Sequence, residues 1–149
     1  MAGVFGYGRL TAVSYAGDIT PAEAWKLLRE DRRAVLVDCR TAAEWRFVGV
    51  PDLASLQRDA IYIEWNRADG SHNDGFVDDL LASGVTPGER SVVFLCRSGN
   101  RSIGAAEAAT AAGIAPSYNI LDGFEGNLDE NAHRGGTGWK AVGLPWAQS

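Results

Sequence analysis

Ser91-Val92-Val93-Phe94-Leu95-Cys96-Arg97-Ser98-Gly99-Asn100-Arg101-Ser102 is the stretch on which the fold turns. It opens as an apolar, strand-forming run. It leads into Ile103 to Ala112, rich in alanine, which has the best helix propensity. A buried strand that ends in a cysteine, then a tight basic loop, then a helix, makes a turn that can bind an anion and carry a nucleophile. In open α/β sheets ligands bind beyond the carboxyl ends of the strands. Cys96 sits at such an end, and Cys39 at the end of another.

Outward from this stretch, Ala34-Val35-Leu36-Val37-Asp38 is apolar on both faces, as a central parallel strand reads. Ala60-Ile61-Tyr62-Ile63 and Ser117 to Leu121 are further strands, and a short edge strand is expected near Val13 to Ala16. Thr20-Pro21-Ala22-Glu23 is a helix start, with Thr20 as cap, Pro21 at the first helical position and Glu23 completing a capping box. Thr41-Ala42-Ala43-Glu44 is a second capping box. Phe76, Val77, Leu80 and Leu81 fall at helical spacing, with Gly84 as the stop. Strands alternating with helices imply an α/β domain with a mainly parallel sheet. An irregular lead-in is expected over residues 1–15 and the domain over residues 16–147. Trp139 and Trp146 are expected to pack the glycine-rich tail onto it.

The chain's 149 residues suit one domain, and its net charge of -5 argues against a general nucleic-acid role. No apolar run is long enough to span a membrane, and the first ten residues lack the apolar core of a secretory signal. The two cysteines are too few for a disulfide framework and are not spaced as zinc ligands. His72 and His133 lie far from both and read as loop residues, His133 with the option of lining a pocket mouth. The expectation is a cytoplasmic, reducing setting with neither metal nor cofactor.

A thiol is a useful nucleophile only as thiolate, and a free cysteine has a pKa of about 8.5. Three features of the loop favour an anion at Cys96. Arg97 and Arg101 bring positive charge. Gly99 lets the backbone curl so that successive N–H groups form a nest. The following helix brings its positive end. Many cysteines are only small buried core residues. Core packing, however, does not ask for two arginines, a glycine and two serines in the six residues after one.

The loop resembles the active-site loop of the rhodanese family of sulfurtransferases. The resemblance extends to Val35-Leu36-Val37-Asp38-Cys39-Arg40 followed by Glu44-Trp45, to Leu121-Asp122-Gly123-Phe124, and to Gly138-Trp139-Lys140 and Gly143-Leu144-Pro145-Trp146. It implies a rhodanese fold, a five-stranded parallel sheet flanked by helices on both faces. It also implies that Cys96 attacks the outer sulfur of a small anionic donor such as thiosulfate and becomes a persulfide. A thiol or cyanide would then take the sulfur, and a protein persulfide donor could replace the small one. In this reading Arg97, Ser98, Gly99, Asn100, Arg101 and Ser102 bind the substrate. The loop amides hold the persulfide, and Arg97 and Arg101 attract the donor's sulfonate.

The chain departs from the family pattern in two places. Gly49 falls where the family usually has histidine, and Cys39 falls where an aliphatic residue is usual. Phosphatases and some arsenate reductases share the strand-Cys-loop-helix layout. Their loop is one residue longer than the four residues between Cys96 and Arg101, so both rank well below a sulfurtransferase. The same residues also suit a protein-to-protein persulfide carrier or a non-enzymatic binding module. Cys39 reads as a buried strand-end residue rather than a resolving thiol. Asp38 and Arg40 read as structural, with Arg40 pairing Glu44 at helical spacing or Asp38 capping a loop. Phe124 either walls the pocket or packs in the core. Trp45 and Trp65 read as packing residues, and Asp122 to Glu130 as a solvated acidic face.

Overall fold

A computed structural model describes residues 15–148. The lead-in therefore lies outside the described residues apart from Tyr15. So do Val13 and Ser14 of the edge strand expected near Val13 to Ala16. The observed edge strand, β1 (Gly17–Ile19), comes directly after it, and the Ala16 N–H already bonds the Ser117 carbonyl at 2.8 Å.

The elements that follow are α1 (Pro21–Glu30), β2 (Val35–Asp38), α2 (Ala42–Phe47), β3 (Val50–Pro51), β4 (Ile61–Tyr62), α3 (Phe76–Ala82), β5 (Gly88–Leu95), α4 (Arg101–Ala111), β6 (Ile114–Ile120) and β7 (Trp146–Ala147). Five strands form one sheet in the order β1-β6-β5-β2-β4, every pair parallel. Val35 lies opposite Val92 and Asp38 opposite Leu95, which aligns the carboxyl ends of β2 and β5.

The period-2 alternation of strands sorts the core into two layers. Val92, Phe94 and Cys96 point to one face, under Phe76 and Leu80 of α3 and Ala105, Ala106 and Ala109 of α4. Val93 and Leu95 point to the other, under Ala24 and Leu28 of α1 with Phe124 and Trp139. The small alanines let α4 lie close to the sheet. Burial on both faces is why these strands are apolar without interruption.

Both capping boxes form. In α1 the Glu23 N–H donates to Thr20 Oγ1 at 3.1 Å, and the Thr20 N–H donates back to Glu23 Oε1 at 2.8 Å. In α2 the Thr41–Glu44 pair does the same, at 3.2 and 3.1 Å.

The tail forms an element not anticipated from local pattern, on a partner strand that was not anticipated either. β7 pairs antiparallel with β3 in a separate two-stranded ladder, Pro51 opposite Trp146. Proline is tolerated here because a ladder edge needs no N–H from it. Trp139 is fully buried, meets Trp25 edge-on at 5.9 Å and donates its indole N–H to the Pro145 carbonyl at 2.7 Å. Trp146 stays 39% exposed, its ring set edge-on to Phe124 at 6.3 Å. This ladder also explains Gly49. A side chain there would meet the Ala147 carbonyl at 2.9 Å and the Trp146 ring at 3.0 Å.

Among the described residues no helix is long and apolar enough to cross a membrane, and no cluster of His, Cys, Asp and Glu could hold a metal ion.

Candidate functional site

The loop from Cys96 to Asn100 joins the end of β5 to the start of α4. Gly99 has φ +96°, the curl expected of it, and its N–H donates to Cys96 Sγ at 3.1 Å. Cys96 is only 1% exposed, whereas Arg97 and Asn100 are exposed at the rim. The sulfur thus lies on the floor of a shallow cradle. α4 follows at once, with the positive end of its dipole beside the loop.

The cradle is pressed from behind by the turn after β6. The N–H groups of Phe124 and Glu125 donate to the carbonyls of Cys96 and Arg97 at 2.8 and 2.9 Å. Gly123 makes this possible. It has φ +59°, and a Cβ there would lie 2.3 Å from the Cys96 carbonyl oxygen. Among the L residues none fits.

The charged residues distribute differently from the expectation that Arg40 pairs with Glu44. Arg40 turns back to Asp38 instead. Its Nη2 and Nε bond the carboxylate at 2.7 and 3.0 Å, and its Nη2 also reaches the Gly49 carbonyl at 2.8 Å. Both side chains are fully buried, and the guanidinium stacks 4.2 Å from the Phe124 ring centroid. The pair is a strut between the end of β2 and the tail, and it offers nothing to a substrate. Phe124 accordingly belongs to the core.

Glu44 binds Arg101 through both oxygens, at 2.8 and 3.0 Å. Two-residue spacing lets Arg40 fold onto Asp38, while the topology brings α2 to the first turn of α4. Burial by itself would raise the Glu44 carboxyl. The hydrogen bonds from Arg101 and the Thr41 amide outweigh that and hold it below its ordinary value. Arg101 is accordingly a clamp on the loop. Among the described residues no carboxylate pairs with Arg97, so Arg97 is the loop cation open to an incoming anion.

Ser102 is fully buried and places Oγ 3.1 Å from Cys96 Sγ. Its hydroxyl also donates to Asn119 Oδ1, and Asn119 Nδ2 donates to Asp18 Oδ1 at 3.0 Å. The direction of this chain is set at its far end. A carboxylate only accepts, so the Asn119 amide must turn its NH2 to Asp18 and its oxygen to Ser102. The Ser102 proton is then engaged by Asn119, and a lone pair faces the cysteine sulfur. Asn119 and Asp18 are not evident from sequence reasoning. The available signal is a polar residue inside the Ser117 to Leu121 strand, flanked by Tyr118 and Ile120.

Cys39 is fully buried, and its thiol contacts the Leu95 carbonyl at 3.2 Å. Burial first, then the neighbouring Cys96 sulfur and Asp38, raise its pKa well above the ordinary thiol value. A group so held is a poor resolving thiol. Trp65 packs on α4, within 2.8 Å of where a Gly104 Cβ would lie, and meets Phe76 edge-on at 5.0 Å. His72 bonds Asn66 at 3.1 Å in an exposed loop, and His133 is exposed.

The family described as the STR4 middle domain matches residues 16–149. The chain is 37% identical to the uncharacterized protein RC0915 of Rickettsia conorii, over 87% of this chain and 95% of that one. It is 30% identical to the chloroplastic protein Thylakoid Rhodanese-like of Oryza sativa subsp. indica, over 87% of this chain but only 25% of that much longer one. Among solved structures, Rv0390 of M. tuberculosis superposes with a TM-score of 0.85 at 64% identity, covering 91% of this chain and 100% of that one. A rhodanese-like domain protein of Staphylococcus aureus superposes with a TM-score of 0.54 at 24% identity, over 72% of this chain and 87% of that one, and shares the fold.

Proposed function

Because the chain belongs to the rhodanese-like family, a sulfurtransferase-type family, we propose that it moves a sulfane sulfur from thiosulfate or a related anionic donor to a thiophilic acceptor through a persulfide on Cys96. The observation that carries this reading is the cysteine sulfur on the floor of the Cys96–Ser102 loop, bonded by the Gly99 amide and followed directly by α4. Arg97, exposed at the rim, draws in the donor's sulfonate. The cysteine thiolate attacks the outer sulfur of thiosulfate. A new S–S bond forms, the S–S bond of the donor breaks, and sulfite leaves with that electron pair. The Gly99 N–H and the positive end of the α4 dipole stabilise the anionic persulfide. An acceptor then attacks the outer sulfur and returns the electron pair to Cys96. Covalent catalysis of this kind runs with ping-pong kinetics.

The small cradle and the buried sulfur favour a lone sulfur atom over a phosphate. Two free, buried cysteines suit the reducing, cytoplasmic setting that we assign to the protein.

Mass spectrometry of the protein after thiosulfate tests the reading. One added sulfur atom is expected on Cys96, none in Cys96→Ser, and no thiosulfate-to-cyanide transfer in that variant while its circular dichroism stays native. Transfer retained by Cys96→Ser would refute the mechanism.

A further inference from the structure

Strand β4 ends the sheet. Among the described residues it pairs with β2 on one side and with no strand on the other. The Ile63 and Trp65 N–H groups turn inward, to the carbonyls of Asp38 and Cys39, at 3.1 Å each. Backbone groups along a strand alternate in direction, so the N–H and carbonyl of Tyr62 face outward. The Glu64 carbonyl, next in the outward series, is already taken by the Asn73 side-chain amide at 2.9 Å. A free edge of this kind is a template for another strand.

Recesses flank this edge. One, of about 550 Å³, runs from Trp45 and Tyr62 to Asp79 and Ser83 at α3. A second, of about 440 Å³, lies between the same two rings and Val50 and Ala147 of the β3–β7 ladder. A third, of about 260 Å³, continues from Tyr62 and Val50 to Asp52 and Asp59. Tyr62 lines all three, 40% exposed and edge-on to Trp45 at 5.3 Å. Side chains of a strand laid beside β4 would point alternately to the two faces of the sheet, one into the recess at α3 and the next into those at the ladder. The lining also selects a sign of charge. Glu64 and Asp79 stand at one end, Asp52 and Asp59 at the other, and the middle is apolar. Two arginines share the lining, but both turn onto main-chain carbonyls, Arg58 onto Ala34 at 2.8 Å and Arg67 onto His72 at 2.9 Å. Neither lies within ion-pair distance of a carboxylate among the described residues. Four carboxylates against two arginines leave a net charge of -2 along the edge. The Tyr62 phenol registers this field: its pKa is raised by burial first and then by Asp38, with Asp59 and Asp52 adding to the shift and Arg40 opposing it.

We propose that this edge docks an extended, basic segment of a partner protein, which adds to the sheet beside β4 with apolar side chains at Tyr62 and basic ones at the two acidic ends. Main-chain hydrogen bonds to Tyr62 set the register of the added strand, and the recesses and carboxylates set its sequence preference. The docking is independent of the chemistry at Cys96.

The probe is the synthetic peptide acetyl-Lys-Lys-Val-Tyr-Val-Lys-Lys-amide, titrated at low salt into the full chain labelled with nitrogen-15. Saturable amide NMR shifts are expected at Tyr62, Val50 and Ser83, and they should weaken at high salt. The same peptide with glutamate for lysine should leave those amides unmoved, and so should the basic peptide N-methylated at its three central residues, which cannot pair with an edge. Asp59→Lys reverses an exposed charge at one end of the groove and should weaken binding about fivefold, the value of a surface charge pair, with thiosulfate-to-cyanide transfer unchanged. No shift at Tyr62 would overturn the proposal, as would equal binding of the acidic or the N-methylated peptide. A dimer in sedimentation whose dilution moves the Tyr62 amide would also overturn it, because a second copy of the chain would then cover the edge. Through-space contacts to the Tyr62 amide from another segment of the free chain would do the same.

Discussion

Gly123→Ala would drive a methyl group against the carbonyl of Cys96. The separation from that oxygen would be 2.3 Å, and real contacts of this kind do not fall below 3.0 Å, so loop and turn must part by about 0.7 Å. Two costs follow. Alanine at φ +59° loses about 1–2 kcal/mol to the left-handed conformation. Forcing the loop away adds about 1–3 kcal/mol of overpacking. Together they predict a melting temperature lower by roughly 5–15 °C for a chain of this size. Activity should suffer more than stability does. A misplacement of about 1 Å in a preorganised site costs on the order of 100-fold, so kcat/KM for thiosulfate-to-cyanide transfer should fall roughly 10- to 100-fold. The control is Gly84→Ala. Gly84 has φ +96° and nothing within 4 Å of its would-be Cβ, so it carries the conformational cost without the push. Thiocyanate formation is measured well below each variant's melting point, with circular dichroism melts alongside. A Gly123→Ala protein with wild-type kcat/KM, or a Gly84→Ala protein with the same loss, would show that the Gly123 turn does not position the cysteine loop.

Further perturbations probe separate parts of the site. Glu44→Gln removes one charge of the Arg101 clamp and should cost about 1–3 kcal/mol near neutral pH. The Glu44 carboxyl is held below its ordinary value, so the wild-type advantage is present above the unfolded carboxyl pKa of about 4.3 and is lost as pH falls through the lower folded value. Thermal melts of both proteins from pH 7 down to acid should therefore converge, and a gap that persists or widens would contradict the assignment. In native protein, iodoacetamide should modify Cys96 and spare Cys39, giving one label per chain by intact mass; Cys39→Ala should load sulfur as wild type does. Asn119→Leu frees the Ser102 proton to turn toward the cysteine sulfur. Alkylation of Cys96 at neutral pH should then speed up by about tenfold, the value of one hydrogen bond to a charged group. An unchanged rate in a folded variant would show that Ser102 is not held by Asn119.

How much of this is legible in the sequence depends on the range of each interaction. Strand and helix positions can be read because alternation, helical spacing and caps are local. Thr20 with Glu23 and Thr41 with Glu44 meet within one helical turn, and both boxes form. Ser91 to Leu95 reads as the core of β5, but the strand starts at Gly88, because pairing with β6 carries the ladder past the apolar run. The Cys96 loop is legible for the same reason, since its seven residues from Cys96 to Ser102 hold the sulfur, the curl and the basic rim together.

Glu44 shows where local reading stops. Its capping role is visible within three residues, but its pairing with Arg101 spans 57 positions and exists only because α2 and α4 follow the aligned carboxyl ends of the neighbouring strands β2 and β5. Asn119 and Asp18, 101 positions apart, join Ser102 in the same way. Short-range backbone and burial preferences, legible in the sequence alone, fix the order of the elements, the sheet and the placing of Cys96, the nucleophile we propose, at the end of a central strand. Which charges neutralise each other and which stay unpaired follows instead from the packing of segments far apart in the chain. That outcome depends on distances between distant segments, and electrostatic and hydrogen-bond partners are chosen by those distances alone. Arg101 and Arg97 are both arginines of one loop, and folding paired the first with Glu44 and left the second exposed at the rim without a carboxylate partner among the described residues.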